Sequence, residues 1–236
     1  MKKSIKHKLN SLLMMSLLLI LNSSCQKDES IPDTIIPSTV TDYDGNIYHT
    51  VTIGSQVWMV ENLKTTHYQN GEQIPNITDN SEWGRFATGY YCNYNNDTNI
   101  VKTYGRLYNY FAIIDSRNVC PLGWHIPSIA EWTTLENHLG GCEIAGNKLK
   151  EKGNLHWSYA NDSATNESGF FALPGGYRTN DGLFLEIGNY VYFQSSTHSN
   201  SNYSTSISFG ISTVIGNTMR YAYDKHSGFS VRCIKD

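Results

Sequence analysis

Residues 120–132 read Cys-Pro-Leu-Gly-Trp-His-Ile-Pro-Ser-Ile-Ala-Glu-Trp and contain the clearest helix start in the chain. Ser128 stands just before the helix and Glu131 follows three positions later, which is the spacing of a capping box. Gly140 and Gly141 end the helix, because glycine adopts the left-handed cap without strain. Apolar residues recur at helical spacing and predict a buried face made of Ile129, Trp132, Leu135 and Leu139.

The chain before residue 100 begins with the pattern of a β-hairpin. Asp44-Gly45 predicts a turn, and Gly54-Ser55 reverses the chain into residues 56–60. Between the two turns, four residues alternate with polar neighbours as in a half-buried strand: Ile47, His49, Val51 and Ile53. Residues 64–100 are rich in Asn, Thr and Gly, so we expect long loops and short strands there.

Two shorter helices are expected on either side of the capped helix. Residues 144–151 end at Gly153, and residues 107–114 place Tyr108, Phe111 and Ala112 inward. Apolar runs bounded by glycine then predict strands at residues 170–173, 183–185, 190–193, 206–209, 219–223 and 229–233. Strands at both chain ends with helices between them predict an α+β domain whose N- and C-terminal strands meet in one antiparallel sheet.

Residues 1–24 have the three parts of a secretory signal. Four lysines precede an apolar run at residues 12–21, and Ser23 and Ser24 lead into Cys25. The run is about half of the roughly 20 residues that a membrane-spanning helix needs, so it favours a cleaved signal over a transmembrane segment.

Cys25 is the predicted lipidation site, because residues 21–25 resemble a bacterial lipobox in which the cysteine carries acyl chains such as palmitate. Two or more chains anchor a protein stably, whereas one chain binds reversibly. Ordinary signal cleavage that leaves a free cysteine is the alternative. Residues 26–29, a lysine followed by two acids, resemble the signal that exports lipoproteins of Bacteroidetes to the outer leaflet, or form a plain acidic linker. We therefore expect an outer-membrane, cell-surface lipoprotein in which residues 25–40 form anchor and tether and residues 41–236 one domain.

Charge argues against nucleic acid as a partner. Residues 1–24 contain four of the 18 Lys and Arg side chains and none of the 21 Asp and Glu side chains, so residues 25–236 carry 14 basic and 21 acidic groups, a formal charge of −7. Nucleic-acid binding needs clustered basic side chains that neutralise phosphates. The expected partners are the membrane, through the anchor, and a glycan or protein ligand.

Four cysteines follow the anchor: Cys92, Cys120, Cys142 and Cys233. An even number in an exported chain indicates disulfides, and the sequence leaves three connectivities open. No Cys-x-x-Cys pair and no zinc-type Cys/His spacing occurs, so a metal bound through sulfur is not expected. No metal site and no cofactor are predicted.

Seven motifs in order resemble the Fibrobacter succinogenes major paralogous domain, and they span most of residues 40–236. They are residues 41–46, 58–63, 104–110, 120–128, 166–170, 173–178 and 228–233. That family is similar in pattern to C-type-lectin-like and formylglycine-generating-enzyme-like domains, which share the Trp124 to Trp132 helix start and the Gly228 to Arg232 closing strand. The resemblance implies a lectin-like fold and, as in that fold, a disulfide between Cys120 and Cys233. It implies no established activity.

No catalytic residue is predicted. His125 is a candidate base or ligand, but packing at a turn with donation to the backbone is the preferred interpretation. Arg178 and Arg232 are candidates for binding an anion, with a partly buried ion pair preferred. No nucleophile motif or phosphate loop occurs, and a formylglycine-type mechanism lacks its close cysteine pair, which leaves only a degenerate relative of those enzymes.

Ligand binding is the first functional hypothesis, because loops rich in Asn, Tyr and Gly present aromatic rings and amides that engage sugars or proteins. A structural or display protein without a fixed ligand is the alternative. Residues 95–97, Asn-Asn-Asp, offer oxygen atoms suited to calcium, although such clusters are more often turns.

Overall fold

The computed structural model describes residues 38–159, 161–199, 204–214 and 216–236, which form twelve strands and four α-helices. The signal sequence, Cys25 and most of the tether lie outside these residues. In chain order the elements are β1 (Thr39–Thr41), β2 (Ile47–Ile53), β3 (Gln56–Met59), β4 (Tyr91–Cys92), α1 (Val101–Tyr104), β5 (Leu107–Tyr108), α2 (Tyr110–Ile113), β6 (Trp124–His125), α3 (Ile129–His138), α4 (Cys142–Leu149), β7 (Gly175–Arg178), β8 (Phe184–Ile187), β9 (Tyr190–His198), β10 (Thr205–Ser212), β11 (Thr218–Asp224) and β12 (Ile234–Lys235).

The first sheet joins the two ends of the domain. Its strand order is β1-β2-β3-β12-β6, and Ile234 of β12 pairs antiparallel with Trp58 of β3. The predicted meeting of N- and C-terminal strands is therefore confirmed. β2 and β3 form the predicted hairpin, closed by a two-residue turn in which Gly54 has a φ of +61°. Strand β1 begins at Thr39, two residues before the predicted start of the domain.

The predicted burial pattern of β2 is wrong at its first half. Ile47 and His49 are exposed, whereas Tyr48 is fully buried and donates its hydroxyl to Asp42 Oδ2 at 2.6 Å. In its second half the predicted apolar face does meet the core, because Val51 packs partly buried against it and Ile53 is buried. Tyr48 takes the inward position because its ring fills the core while its hydroxyl finds a buried carboxylate.

The second sheet has the order β11-β10-β9-β7-β8, with antiparallel pairs except for the parallel contact between β7 and β9. Four of its strands are longer than predicted, β9 reaching nine residues and β10 eight, and β7 was not predicted. One face of this sheet packs on α3 through Val191, Phe193 and Phe209. The result is a β-rich α+β domain whose described residues form two five-stranded sheets, the two-stranded sheet β4-β5 and few helices.

Helix α3 sits where the sequence predicts it. Ser128 Oγ accepts from the Glu131 backbone, and the Glu131 carboxylate accepts from the Ser128 backbone N–H at 2.7 Å, so the capping box is complete. Trp132 stacks on Phe209 with 4.3 Å between ring centroids and lies 4.6 Å from Trp58. This helix therefore links the two sheets through one aromatic core. Helix α4 begins two residues before the predicted position and ends at Leu149.

Three predicted elements have a different form. The expected helix at residues 107–114 is strand β5, which pairs with β4, followed by the four-residue helix α2. The Asn109 side chain accepts from Ala112 N and so caps α2, which separates the two elements. Residues 170–173 and 229–233 make only isolated bridges at Ala172, Phe229 and Ser230. The carbonyls of Phe170 and Phe171 accept instead from the buried Arg232 side chain.

The tyrosines of residues 64–100 are core residues and not ligand-facing groups. Tyr90, Tyr91 and Tyr94 are each no more than 6% exposed. Tyr90 packs edge-on against Trp83, with 4.6 Å between ring centroids. This corrects the expectation that the loop presents its aromatic rings to a ligand.

The disulfide implied by the resemblance is present. Cys120 and Cys233 are bonded, with 5.9 Å between their Cα atoms, and both are buried. The bond fastens the turn before β6 to the end of the chain. No helix in the described part of the chain is both long enough and apolar enough to cross a bilayer.

The two remaining cysteines of the domain are free and should differ sharply in reactivity. Cys92 is buried, and burial raises the pKa of its thiol to about 12, whereas Cys142 is exposed. Because the thiolate is the reactive form, iodoacetamide at neutral pH should alkylate Cys142 and leave Cys92 unmodified until the protein unfolds. Peptide mass spectrometry with and without urea measures this. Equal labelling of both in the folded protein would contradict the buried position of Cys92.

Candidate functional site

His125, the sequence candidate for a base, lies between two carboxylates. Its Nδ1 is 2.7 Å from Asp236 Oδ1 and its Nε2 is 2.8 Å from Glu131 Oε1. The prediction that His125 donates to the backbone is therefore wrong. Burial lowers the pKa of His125, but the hydrogen bonds to Glu131 and Asp236 outweigh it and the net pKa lies above its ordinary value. A doubly protonated ring binds both carboxylates at once.

The order of these groups differs from that of a hydrolase triad. Ser128 Oγ donates to Glu131 Oε2 at 2.8 Å, so the carboxylate stands between the hydroxyl and His125. In a triad the imidazole must touch the hydroxyl in order to accept its proton. Here Glu131 serves the helix cap, and His125 ties β6, α3 and the last residue of the chain together.

The raised pKa of His125 predicts a pH-dependent contribution to stability. A folded-state pKa above the unfolded value of about 6.5 means that the contribution is fully present below pH 6.5 and is lost as pH rises through the folded pKa. Urea unfolding of wild type and His125→Gln should show a larger difference at pH 5.5 than at pH 8.5. Asp236→Asn should reduce that pH dependence in part. A difference that is the same at both pH values would contradict this role.

Arg178 and Arg232, the candidates for anion binding, are both buried and bind carbonyl oxygens. Arg178 lies between the rings of Trp83 and Phe184, at 4.2 and 4.7 Å from their centroids. It donates to the carbonyls of Ile77, Thr78 and Gly182 and to Asn80 Oδ1. Because these acceptors are uncharged, Arg178 does not form the expected ion pair with any residue in the described part of the chain.

Arg232 repeats this arrangement in the main core. Its guanidinium donates to Asn62 Oδ1 and to the carbonyls of Met59, Phe170 and Phe171, at 2.6 to 3.1 Å. Burial lowers the pKa of Arg232, but a guanidinium starts so high that it stays charged at neutral pH. Both arginines therefore hold loops together, and neither belongs to a ligand site.

The Asn95-Asn96-Asp97 segment is a turn. Asn95 and Asn96 have φ values of +50° and +56°, and the Asp97 carboxylate accepts from Asn99. Among the described residues, no three His, Cys, Asp or Glu side chains converge into a group able to hold a metal ion.

A cluster of tyrosine rings that was not predicted from the sequence covers the second sheet on the side away from α3. We call it the tyrosine face, and it consists of Tyr177, Tyr190, Tyr192, Tyr221 and Tyr223. Tyr192 lies at its centre, with 5.1 to 5.6 Å between its ring centroid and those of the other four. Tyr192 is nearly buried and the others are half-buried. Leu185 pairs with Tyr177 across β7 and β8 and extends this face to the edge of the sheet.

Strand alternation places these rings together. Tyr190 and Tyr192 occupy every second position of β9, while Val191 between them faces the core. Gly210 of β10 pairs with Tyr192, and a Cβ at Gly210 would lie 2.9 Å from the Tyr221 ring. The absence of a side chain therefore lets the rings from β9 and β11 close over the central strand.

Polar groups lie on the same side of the sheet, beneath and beside the rings. Ser208 pairs with Tyr221 and Gln194, and Ser206 pairs with Tyr223. The hydroxyls of both serines and Gln194 Oε1 are buried, and none has a hydrogen-bond partner in the described part of the structure. These three atoms are enclosed beneath the rings and are not part of the surface that a ligand could contact.

The hydroxyls of Tyr177, Tyr192 and Tyr221 stay protonated over the physiological range. Burial and contact with Tyr223 raise the pKa of Tyr177 to about 12, and the same causes raise the pKa of Tyr192 further. Burial also raises the pKa of Tyr221. Each hydroxyl therefore keeps both its donor and its acceptor capacity. The two-residue spacing of tyrosines at 190 and 192 and at 221 and 223 was the signal in the sequence that could have located this site.

Comparison with known proteins identifies the family and no individual relative. Residues 51–235 match the model of the Fibrobacter succinogenes major domain. Neither the curated proteins nor the solved structures contain a significant match to the chain. The matched segment runs from β2 to β12 and includes the tyrosine face, both buried arginines and the disulfide. The chain belongs to the Fibrobacter succinogenes major domain family.

Proposed function

We propose that this protein is a cell-surface lipoprotein of the outer membrane whose non-catalytic domain binds carbohydrate through the tyrosine face. The observation that carries the proposal is the contiguous layer of five tyrosines, four of which are half-buried at the surface and offer both rings and hydroxyls. Sugars present both C–H groups, which are attracted to the negative face of an aromatic ring, and hydroxyls, which need hydrogen-bond partners. The tyrosine face supplies both kinds of contact.

Charge favours an uncharged glycan as the ligand. The five members of the tyrosine face are neutral, and Glu186 lies close enough to raise the pKa of Tyr177 electrostatically. An acidic domain with an acidic neighbour at the site repels anionic sugars and nucleic acid. The exported location rests on the signal-like sequence and on Cys25, which would carry the acyl chains.

Two observations support a binding role without catalysis. Glu131 lies between Ser128 and His125, so these residues do not form a hydrolase triad. Of the two free cysteines of the domain, Cys92 is buried and Cys142 is exposed, so they do not form a reactive pair. The C-type-lectin-like assignment is part of this proposal. It rests on the order of the motifs, on the meeting of the terminal strands and on the Cys120–Cys233 bond.

A glycan array probed with residues 37–236 tests the proposal, since residues Pro37–Asp236 form one compact unit. We expect binding to one or more neutral polysaccharides. Replacing Tyr190 and Tyr221 together by alanine should weaken binding about tenfold or more, because truncating aromatic anchors typically costs more than about 1 kcal/mol each.

Tyr159→Ala is the matched control, because Tyr159 is 62% exposed and lies outside the tyrosine face. It should leave binding unchanged, and circular dichroism should confirm that all variants are folded. An array without any bound glycan would favour the alternative, a display protein without a fixed ligand. Binding that is insensitive to the Tyr190/Tyr221 pair would place the site elsewhere.

A further inference from the structure

Three large apolar side chains are exposed together near the point where the described domain begins. Tyr43 is 60% exposed, Ile47 59% and Leu122 88%. Tyr43 and Leu122 flank a groove of about 270 Å³ that Thr41 also lines, and Ile47 is the cross-strand partner of Thr41. We call Tyr43, Ile47 and Leu122 the apolar patch.

Leu122 is held outward by a rigid turn. Trp124 N donates to Pro121 O at 3.0 Å, and Gly123 has a φ of +78°, which fits a type II turn with Leu122 at its first corner. Gln69 Nε2 donates to the carbonyl of Cys120 at 2.7 Å, and Cys120 is fixed by its disulfide. The backbone conformation of this turn therefore holds Leu122 in its exposed position.

Tyr43 is fixed as well. Its hydroxyl lies over Gly71, where a Cβ would be 2.4 Å from the oxygen, and its ring centroid is 5.5 Å from that of His67. The neighbouring carboxylates are already occupied. Asp42 accepts from Asn46 and Tyr48, and Asp44 accepts from Thr66. Both carboxylates therefore keep their protein hydrogen bonds when the patch is covered.

We propose that the apolar patch rests on the lipid surface to which the chain is anchored. Ser38 is hydrogen-bonded to Thr50 at the start of β1, about 10 Å along the strand from Thr41. The 13 residues from Cys25 to Ser38 span at most about 45 Å, which keeps the patch within reach of the bilayer. An anchored domain meets the surface at a high effective concentration, so a weak apolar contact is enough to hold it there.

This inference rests on the proposed lipidation, and its test separates the two. The test uses full-length protein in which Cys142→Ser removes the exposed thiol. One nitrobenzoxadiazole label is attached at a new cysteine, either Tyr43→Cys or Tyr159→Cys. The two positions are equally exposed in the wild type. Each labelled protein is reconstituted into phosphatidylcholine vesicles whose acyl chains are brominated. Pelleting with the vesicles reports the anchor, and quenching of the label reports contact with the lipid.

We expect the label at position 43 to be quenched several-fold more than the label at position 159. Adding Ile47→Ser and Leu122→Ser should reduce quenching at position 43 to the level of the control. Equal quenching at both positions, or none at position 43 in protein that pellets, would overturn the proposal. If the protein fails to pellet, the lipidation proposal has failed. The same labelled variants carrying Cys25→Ser are then attached through an N-terminal histidine tag to nickel-chelating lipid, and the same quenching comparison decides the docking.

Discussion

Replacing Arg232 by methionine should lower the free energy of unfolding by at least about 3 kcal/mol. Four acceptors lose their donor in this variant: Asn62 Oδ1 and the carbonyls of Met59, Phe170 and Phe171. A buried acceptor left unpaired typically costs about 1–3 kcal/mol, and partial relaxation keeps the total below the simple sum. Methionine preserves most of the apolar contact with Phe170, so the loss reports mainly the hydrogen bonds.

Urea unfolding followed by tryptophan fluorescence measures this effect. Arg85→Met is the control, because Arg85 is largely exposed and pairs only with Glu82 three residues away. Exposed pairs contribute little, so this variant should unfold within about 0.5 kcal/mol of wild type. If Arg232→Met is as stable as the control, the guanidinium does not organise the core as described.

Removing the disulfide is the second large effect. The Cys120–Cys233 bond closes a loop with a sequence separation of 113 residues. The chain-entropy model gives such a loop roughly 4–5 kcal/mol of stabilisation, although measured values are often smaller. Cys120→Ala with Cys233→Ala should therefore lower the free energy of unfolding by about 2–5 kcal/mol, with the larger part arising from the less constrained unfolded state.

Chemical denaturation of the double variant and of reduced wild type should give the same loss, and Cys142→Ser should give none. A non-reducing peptide map of wild type should contain the peptide that joins Cys120 and Cys233. A map that pairs either cysteine with Cys92 or Cys142 would contradict the structure, and unchanged stability of the double variant would contradict the energetic argument.

The two buried arginines explain how a domain with long loops maintains a packed interior. Backbone carbonyls in interior loops lack the partners that a helix or sheet supplies, and each needs a donor. One guanidinium offers five N–H groups in a fixed plane, so it can bind several loop carbonyls at once. Arg178 binds acceptors in residues 77–80. Arg232 binds the carbonyls of Met59 and of residues 170–171.

Features of the fold that depend on neighbouring residues were predicted from the sequence. The capping box at Ser128, the glycine turn at Gly54 and the apolar runs of the second sheet all lie where the residues indicate. The meeting of the terminal strands also followed, because strands at both ends of a single domain commonly share a sheet.

Contacts between distant segments were not predictable in the same way. Three of the four acceptors of Arg178 are about 100 residues away, and the partners of His125 include Asp236. Whether Tyr48 or Ile47 faces the core depends on the buried acceptor at Asp42, which periodicity does not reveal. Predicting the tyrosine face would have required the register of β9, β10 and β11, in particular the pairing of Gly210 with Tyr192.

The central claim is that the tyrosine face binds carbohydrate, and fluorine NMR of 3-fluorotyrosine-labelled domain tests it most directly. The chain contains 16 tyrosines, whose resonances are assigned through single Tyr→Phe variants. On titration with a glycan identified by the array, the resonances of Tyr177, Tyr190, Tyr192, Tyr221 and Tyr223 should shift together and saturate with one affinity. Shifts confined to tyrosines outside this face, such as Tyr43 or Tyr159, would contradict the account.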